Sequence, residues 1–254
     1  MLDFSSAGYR YRDGIAVCDV TVGIPAGQLV ALVGENGSGK STLLKLAARV
    51  LQPDSGEVRL DGRSLRHWVP REYARRVGYL AQEQELPFAM NALDVVVSGR
   101  APFLGRFGWE NESDFDEARR ALELCDATHL AARDVEEMSG GERKRVFLAR
   151  VLAARPSLII LDEPFAALDL SHVQRFSALL REVVDRTGAT VLFASHDLNW
   201  AAAYADRMLV MHRGSLVVDG KPSEVLQTGT MKQYFGFEST SVALGARTWI
   251  VPAS

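Results

Sequence analysis

Gly34-Glu35-Asn36-Gly37-Ser38-Gly39-Lys40-Ser41-Thr42 decides the reading of this chain. The stretch fits G-x-x-x-x-G-K-[ST], a loop whose glycines let backbone N–H groups converge on the phosphate oxygens of a nucleotide. The apolar run Leu29–Val33 before it reads as a buried strand. After it, Leu43, Leu44, Leu46, Ala47 and Val50 recur at helical spacing. Strand, glycine loop and helix, in that order, are the context the motif needs. The helix start adds the positive end of a dipole. Lys40 is placed to reach the β- and γ-phosphates, and the Ser41 hydroxyl to ligate Mg2+.

The whole chain sets the limits of that reading. Its 254 residues suffice for one large domain or a domain with a subdomain. Hydrophobic content of 47% and charged content of 24% are those of an ordinary globular protein. A net charge of −3 argues against a dedicated nucleic-acid binder. No apolar run approaches the ~18 residues of a membrane span. Met1-Leu2-Asp3-Phe4 lacks a basic region and a long apolar stretch, which predicts no secretory leader. Cys18 and Cys125 lie far apart in apolar surroundings and are expected to be buried, reduced thiols. The histidines show no metal-ligand spacing.

Outward from the loop, residues 1–30 read as short strands with turns, Ile15, Val17, Val20 and Val22 being the β-branched positions. The helix after the loop is expected to stop near Gln52-Pro53. Residues 57–60 and 76–81 read as strands, and from 88 to about 154 the texture is helical. There Asp114 is expected to cap one helix and Ser139 another. Leu158-Ile159-Ile160-Leu161 reads as a fully buried strand, followed by a helix carrying Val173, Phe176, Leu180 and Val184. A strand at 190–194, a hairpin around Arg213-Gly214 and short helices at 222–226 and 231–235 complete the pattern. Residues 238–254 are weakly patterned. Strands alternating with helices mean an α/β sheet, interrupted by a helical insertion at about 85–155.

Two further motifs carry chemistry. Asp162-Glu163 ends the apolar strand, placing both carboxylates at its C-terminal end, where ligands sit in open α/β sheets. Asp162 suits the holding of Mg2+, and Glu163 suits a general base for water attacking a γ-phosphate. Ser139-Gly140-Gly141-Glu142 opens a helix with exposed N–H groups at the positive dipole end, a second anion site.

With these motifs in this order, the chain resembles the nucleotide-binding subunit of an ATP-binding cassette (ABC) transporter. Met138-Ser139-Gly140-Gly141-Glu142 is similar to the family signature L-S-G-G-Q, with Met for Leu and Glu for Gln. The resemblance implies an α/β fold: a P-loop NTPase (RecA-like) core with an N-terminal antiparallel β subdomain and an inserted α-helical subdomain. The cassette would cover residues 1–237, leaving 238–254 as a tail. Gln82 matches the glutamine that touches Mg2+ and the attacking water. Ala167-Leu168-Asp169 matches the D-loop, and His196 the histidine that contacts the γ-phosphate. Tyr11, 40 − 11 = 29 positions before Lys40, matches the aromatic that stacks on adenine, with Tyr9 as the alternative.

The same resemblance implies ATP with Mg2+, the metal being held by Ser41, Gln82 and Asp162. It implies a homodimer in which each phosphate loop faces the partner's signature. It also implies separate polytopic permease subunits, an indirectly contacted substrate-binding protein, no nucleic acid, and a peripheral place on the cytoplasmic face of the inner membrane. The segments Gln82-Glu83-Gln84-Glu85-Leu86-Pro87-Phe88 and Gly99-Arg100-Ala101-Pro102-Phe103 resemble ATPases of importers for iron–siderophore, haem and cobalamin. Zinc or manganese importers, an exporter ATPase and a soluble non-transport ABC ATPase are the alternatives. The gap of 139 − 40 = 99 positions between loop and signature carries no sustained heptads, unlike coiled-coil relatives. Phe103, Leu104, Phe107 and Trp109 either form a permease-docking surface or pack beneath a loop. Arg143-Lys144-Arg145 reads as a solvated helix face.

Overall fold

Alternating burial makes strands of the N-terminal residues. Leu2–Tyr11 (β1) and Gly14–Ile24 (β2) pair antiparallel in a computed structural model that describes residues 1–105, 108–166, 169–244 and 247–252. The short strands expected here are instead two long ones. Their irregularities are register shifts, with Ser6 (φ 48°) and Asp19 (φ 50°) in left-handed backbone, where turns were expected. Leu29–Val33 (β3), all buried, leads through the glycine loop to the helix Lys40–Ala47 (α1).

That helix stops well before Gln52-Pro53. Arg49 turns left-handed (φ 59°), and the N–H groups of Val50 and Leu51 close back on the Lys45 carbonyl. Val50, expected on the apolar face, is therefore 57% exposed. Ser55–Leu60 (β4) and the two-residue Arg63–Ser64 (β5) complete an antiparallel sheet of order β2-β1-β4-β5.

The chain divides into two units, Met1–Trp68 with Thr190–Ser254, and Val69–Ala189. The second begins with Pro70–Arg76 (α2), whose proline at the helix start has no N–H to leave unpaired. Val77–Leu80 (β6) runs parallel to Leu158–Leu161 (β7). Between them Ala92–Ser98 (α3), Glu112–Leu124 (α4) and Gly140–Ala153 (α5) pack on one another. Leu170–Thr187 (α6) follows β7. Asn111, not Asp114, caps α4: its Oδ1 accepts from Ser113 N at 2.9 Å. Asp114 sits three residues on and answers by accepting from Asn111 N at 3.2 Å, the reciprocal half of a capping box.

Asp114 is thereby drawn inward. Arg100 Nε donates to its Oδ1 at 3.0 Å, with the two side chains 12% and 5% exposed, and Arg100 Nη1 donates to Ala153 O at 3.0 Å. The Phe103 ring lies under the Arg100 guanidinium at 3.9 Å and the Arg75 guanidinium at 5.0 Å. Arg100→Ala leaves a buried carboxylate uncompensated, which destabilises the fold by about 3 kcal/mol. Urea denaturation followed by tryptophan fluorescence measures this, and a midpoint unchanged from the parent would refute it.

The first unit resumes with Thr190–Ser195 (β8), Leu198–Tyr204 (α7), Arg207–His212 (β9) and Ser215–Gly220 (β10). β3 lies parallel between β8 and β9, and β10 pairs antiparallel with β9. All six residues of β8 are buried, as befits a parallel strand covered on both faces. Pro222–Val225 (α8) and Thr228–Phe235 (α9) lead into the C-terminal segment. Residues expected to be weakly patterned form a hairpin, Ser239–Leu244 (β11) with Arg247–Pro252 (β12). It packs on α7, where the Asn199 amide accepts from Ile250 N at 2.8 Å and donates to Ile250 O at 3.2 Å. Among the described residues no helix is long and apolar enough to cross a membrane.

Candidate nucleotide site

Lys40, the first residue of α1, is only 5% exposed. Its Nζ donates to Gly34 O at 2.8 Å and Glu35 O at 2.9 Å, so the loop closes into a ring around an ammonium. Ser38 N donates to Glu35 O at 3.2 Å, and Leu43 N to Gly39 O at 2.9 Å. The ring is anchored from outside: Gly214 N donates to Ser38 O at 3.0 Å, and Cys18 N to Gly214 O at 2.7 Å. Gly39 has φ 103°, and a Cβ there would stand 2.3 Å from Ala16 O, so only glycine fits.

No side chain caps α1, and no acidic residue occupies its first turn. Its leading N–H groups and dipole are thus presented to an anion. The Ser38 hydroxyl, in a residue 4% exposed, has no hydrogen-bond partner. A phosphate oxygen would satisfy it, so the cradle fits a triphosphate. Glu35, Asn36 and Gly37 form the exposed rim, Ser41 is half-buried and Thr42 buried. Tyr11, at the end of β1, is 41% exposed and stands edge-on to Tyr9 with ring centroids 4.9 Å apart. His196 is exposed directly after β8.

The second unit carries the carboxylates. Asp162 is 4% exposed, and its N–H donates to Leu80 O at 2.8 Å, extending the β6–β7 ladder. Glu163 then enters left-handed backbone (φ 50°). For a residue with a Cβ this costs about 1–2 kcal/mol and persists only where surroundings enforce it. The turn re-aims its carboxylate, and Gln82 Nε2 donates to Glu163 Oε2 at 3.2 Å. Two residues distant in sequence and singled out from it are thus brought together.

Ser139 caps α5 as expected: its hydroxyl accepts from Glu142 N at 3.4 Å and its own N–H donates to Glu142 Oε2 at 2.9 Å. The Ser139 hydroxyl, and next the Ser139 N–H, hold the Glu142 carboxyl below the usual range. Gly140 is open, whereas a Cβ at Gly141 would lie 2.7 Å from the His172 ring. That ring meets Asp169 Oδ1 at 2.8 Å, and Asp169 also caps α6 by accepting from His172 N at 2.9 Å. The His172 N–H, then its ring and the Ser171 hydroxyl, hold the Asp169 carboxyl down to about 2. Ala167 and Leu168, expected beside Asp169, lie outside the described residues, as does Phe107.

Arg143-Lys144-Arg145 is not the solvated face expected. Arg143 Nη2 donates to Gln84 O at 2.6 Å, Lys144 Nζ to Pro164 O at 3.0 Å and to Ala166 O, and Arg145 Nη1 to Asp126 O at 2.9 Å. The signal for this was legible: three successive cations just inside the positive end of a helix are unfavourable unless other partners hold them.

Cys125 is buried, with its thiol pushed well up by burial, but Cys18 is exposed, correcting the expectation for it. The register shift in β2 places Val17 and Val20 inward and Cys18 outward.

Residues 17–166 match the ABC transporter family model. The hemin import ATP-binding protein HmuV of Nocardia farcinica (strain IFM 10152) is 45% identical over 218 residues, 85% of this chain and 74% of that protein. The ferric enterobactin transport ATP-binding protein FepC of Escherichia coli (strain K12) is 36% identical over 218 residues, 86% of this chain and 80% of that protein. A solved inward-facing structure of a metal-chelate type ABC transporter aligns with TM-score 0.87 and 28% identity, covering 100% of this chain and 97% of that one. With an ammonium-centred phosphate loop on one unit and paired carboxylates on the other, the chain belongs to the ABC transporter family, as its ATP-binding and ATP-hydrolysing cassette.

Proposed function

We propose that this cassette is the motor of an importer for a metal chelate of the iron–siderophore, haem or cobalamin kind, working as a homodimer on separate permease subunits at the cytoplasmic face of the membrane. Support for the cargo class comes from the hemin and enterobactin relatives and from the resemblance of the Gly99-Arg100-Ala101-Pro102-Phe103 sequence to importer ATPases of that kind. The observation that carries the catalytic reading is Glu163, held in left-handed backbone against Gln82.

Each residue then has a task. Gly34 to Thr42 bind the phosphates, Lys40 and Ser38 supplying buried donors, and Tyr11 stacks on the base. Mg2+ takes hard oxygen ligands, for which the Ser41 hydroxyl, the Asp162 carboxylate and the Gln82 amide are suited, and it would spread the charge of the phosphates. A water oxygen bonds to the γ-phosphorus as the bond to the β-phosphate oxygen breaks, and its proton passes to the Glu163 carboxylate. ADP and phosphate leave. His196 steadies the γ-phosphate. Ser139, Gly140, Gly141 and Glu142 offer a helix start to the nucleotide held by the partner subunit, with Asp169 beside them. ATP then favours the closed dimer and ADP the open one, and that difference drives transport.

Phe103 is 37% exposed, and Trp109 is 87% exposed. They are the apolar groups offered to the permease. Phe103→Glu with Trp109→Glu is expected to cut membrane association at least about 10-fold while leaving ATP affinity unchanged; about 1.4 kcal/mol of lost docking suffices. Loss of ATP binding as well would make the segment a structural element.

The reading is tested by tagging a Glu163→Gln chain, trapping it with ATP, solubilising membranes in mild detergent and identifying what co-purifies. A stoichiometric many-span permease is expected, and its uptake of haem, ferric siderophores and cobalamin then fixes the cargo. Recovery of ribosomes, DNA or no partner, with the dimer intact, would sink the importer reading.

A further inference from the structure

Lys144 takes no part in the proposed binding or hydrolysis, yet its ammonium is held beside the segment that carries Glu163. From the first turns of α5 its ammonium reaches the segment that follows Glu163, donating to Pro164 O at 3.0 Å and to Ala166 O. It is half-buried, and burial lowers its pKa while the Glu163 charge acts in the opposite direction. The preceding residue, Arg143, grips the other arm: its Nη2 donates to Gln84 O at 2.6 Å. One helical turn thus holds the backbones of two segments whose side chains meet at Gln82 Nε2 and Glu163 Oε2, 3.2 Å apart.

Glu163 needs such a support. Its left-handed backbone is unfavourable for a residue with a Cβ and must be imposed from outside. A cation bound to two carbonyls within the next three residues imposes it directly. We infer that Lys144 is a positioning residue for hydrolysis: it locks the Glu163–Ala166 turn and so fixes the carboxylate against Gln82. The inference rests on Glu163 being the general base. Because Ser139 caps the same helix, whatever seats the signature also seats the turn that carries the base.

The test uses the full chain with Lys144→Met, which keeps the apolar stem, and Lys144→Arg, which keeps a donor for both carbonyls. ATP turnover is read beside affinity for a fluorescent ATP analogue, with Glu163→Gln in parallel. Lys144→Met is expected to lower kcat about 30-fold or more, since small misplacements of reacting groups cost that much, with affinity within about 3-fold of the parent. Lys144→Arg is expected to restore kcat to within about 5-fold, its fork keeping two donors. Combined with Gln82→Ala, the two losses are expected to be less than multiplicative, because both act on one carboxylate.

Lys144→Met turning over within about 3-fold of the parent overturns the inference. So does a parallel fall in turnover and affinity, which marks a general structural role. Should Lys144→Met fail to fold, Lys144→Gln is judged by the same criteria. Full turnover by Glu163→Gln refutes the assignment of the base, whereas an inactive Glu163→Gln beside an unimpaired Lys144→Met refutes only the role of Lys144.

Discussion

Lys40→Met is expected to weaken ATP binding severely while the protein stays folded. The Lys40 ammonium sits 2.8 Å from Gly34 O and 2.9 Å from Glu35 O, on a buried stem. Phosphate oxygens carry charge, and charge-assisted bonds from an ammonium are about twice as strong as bonds to neutral carbonyls. Losing them is expected to weaken ATP binding at least about 100-fold, close to 3 kcal/mol. The methionine stem fills the same channel, and the two carbonyls that lose their donor cost the fold about 1–2 kcal/mol. Equilibrium binding of a fluorescent ATP analogue, beside a thermal melt, reads both quantities. Undiminished affinity would remove Lys40 from the phosphate site.

Glu163→Gln separates binding from chemistry. Glutamine keeps an oxygen that can accept from Gln82 Nε2, so the 3.2 Å contact survives the change. What disappears is the capacity to take a proton from water. General bases contribute about 10²–10⁴-fold, so turnover is expected to fall about 1,000-fold with ATP affinity nearly unchanged. The ATP-bound dimer should then outlive that of the parent, visible by size-exclusion chromatography with ATP. A variant that retains most of its turnover would deny Glu163 the role. One that loses ATP binding would make it a structural carboxylate.

The local parts of this molecule were legible where short-range chemistry decides them. Leu29–Val33, the glycine loop and α1 follow from period and composition, and Ser139 caps α5 because a hydroxyl followed three residues on by a glutamate can satisfy two helix-start donors. The end of α1 was not legible: Val50 continues the apolar spacing, but Arg49 goes left-handed and the spacing no longer points inward. Asn111 and Asp114 both suit a helix start, and only the buried Arg100 distinguishes cap from reciprocating acid. The C-terminal hairpin hid because its hold on α7, through Asn199 and Ile250, is 51 residues long-range. The partners of Lys144 were invisible for the same reason: a cation on a helix looks alike whether it faces water or a carbonyl.

The cysteines make the chain its own spectroscopic instrument. Cys125 is sealed away with its thiol pushed up, whereas Cys18 is exposed. A thiol-directed dye therefore finds a single address in the unaltered protein. That address adjoins the phosphate loop through a short relay, Cys18 N to Gly214 O at 2.7 Å and Gly214 N to Ser38 O at 3.0 Å. Nucleotide arriving at Ser38 and Lys40 is expected to change the surroundings of a fluorophore two hydrogen bonds away, which would let binding and release be followed in real time without engineering a reporter into the sequence.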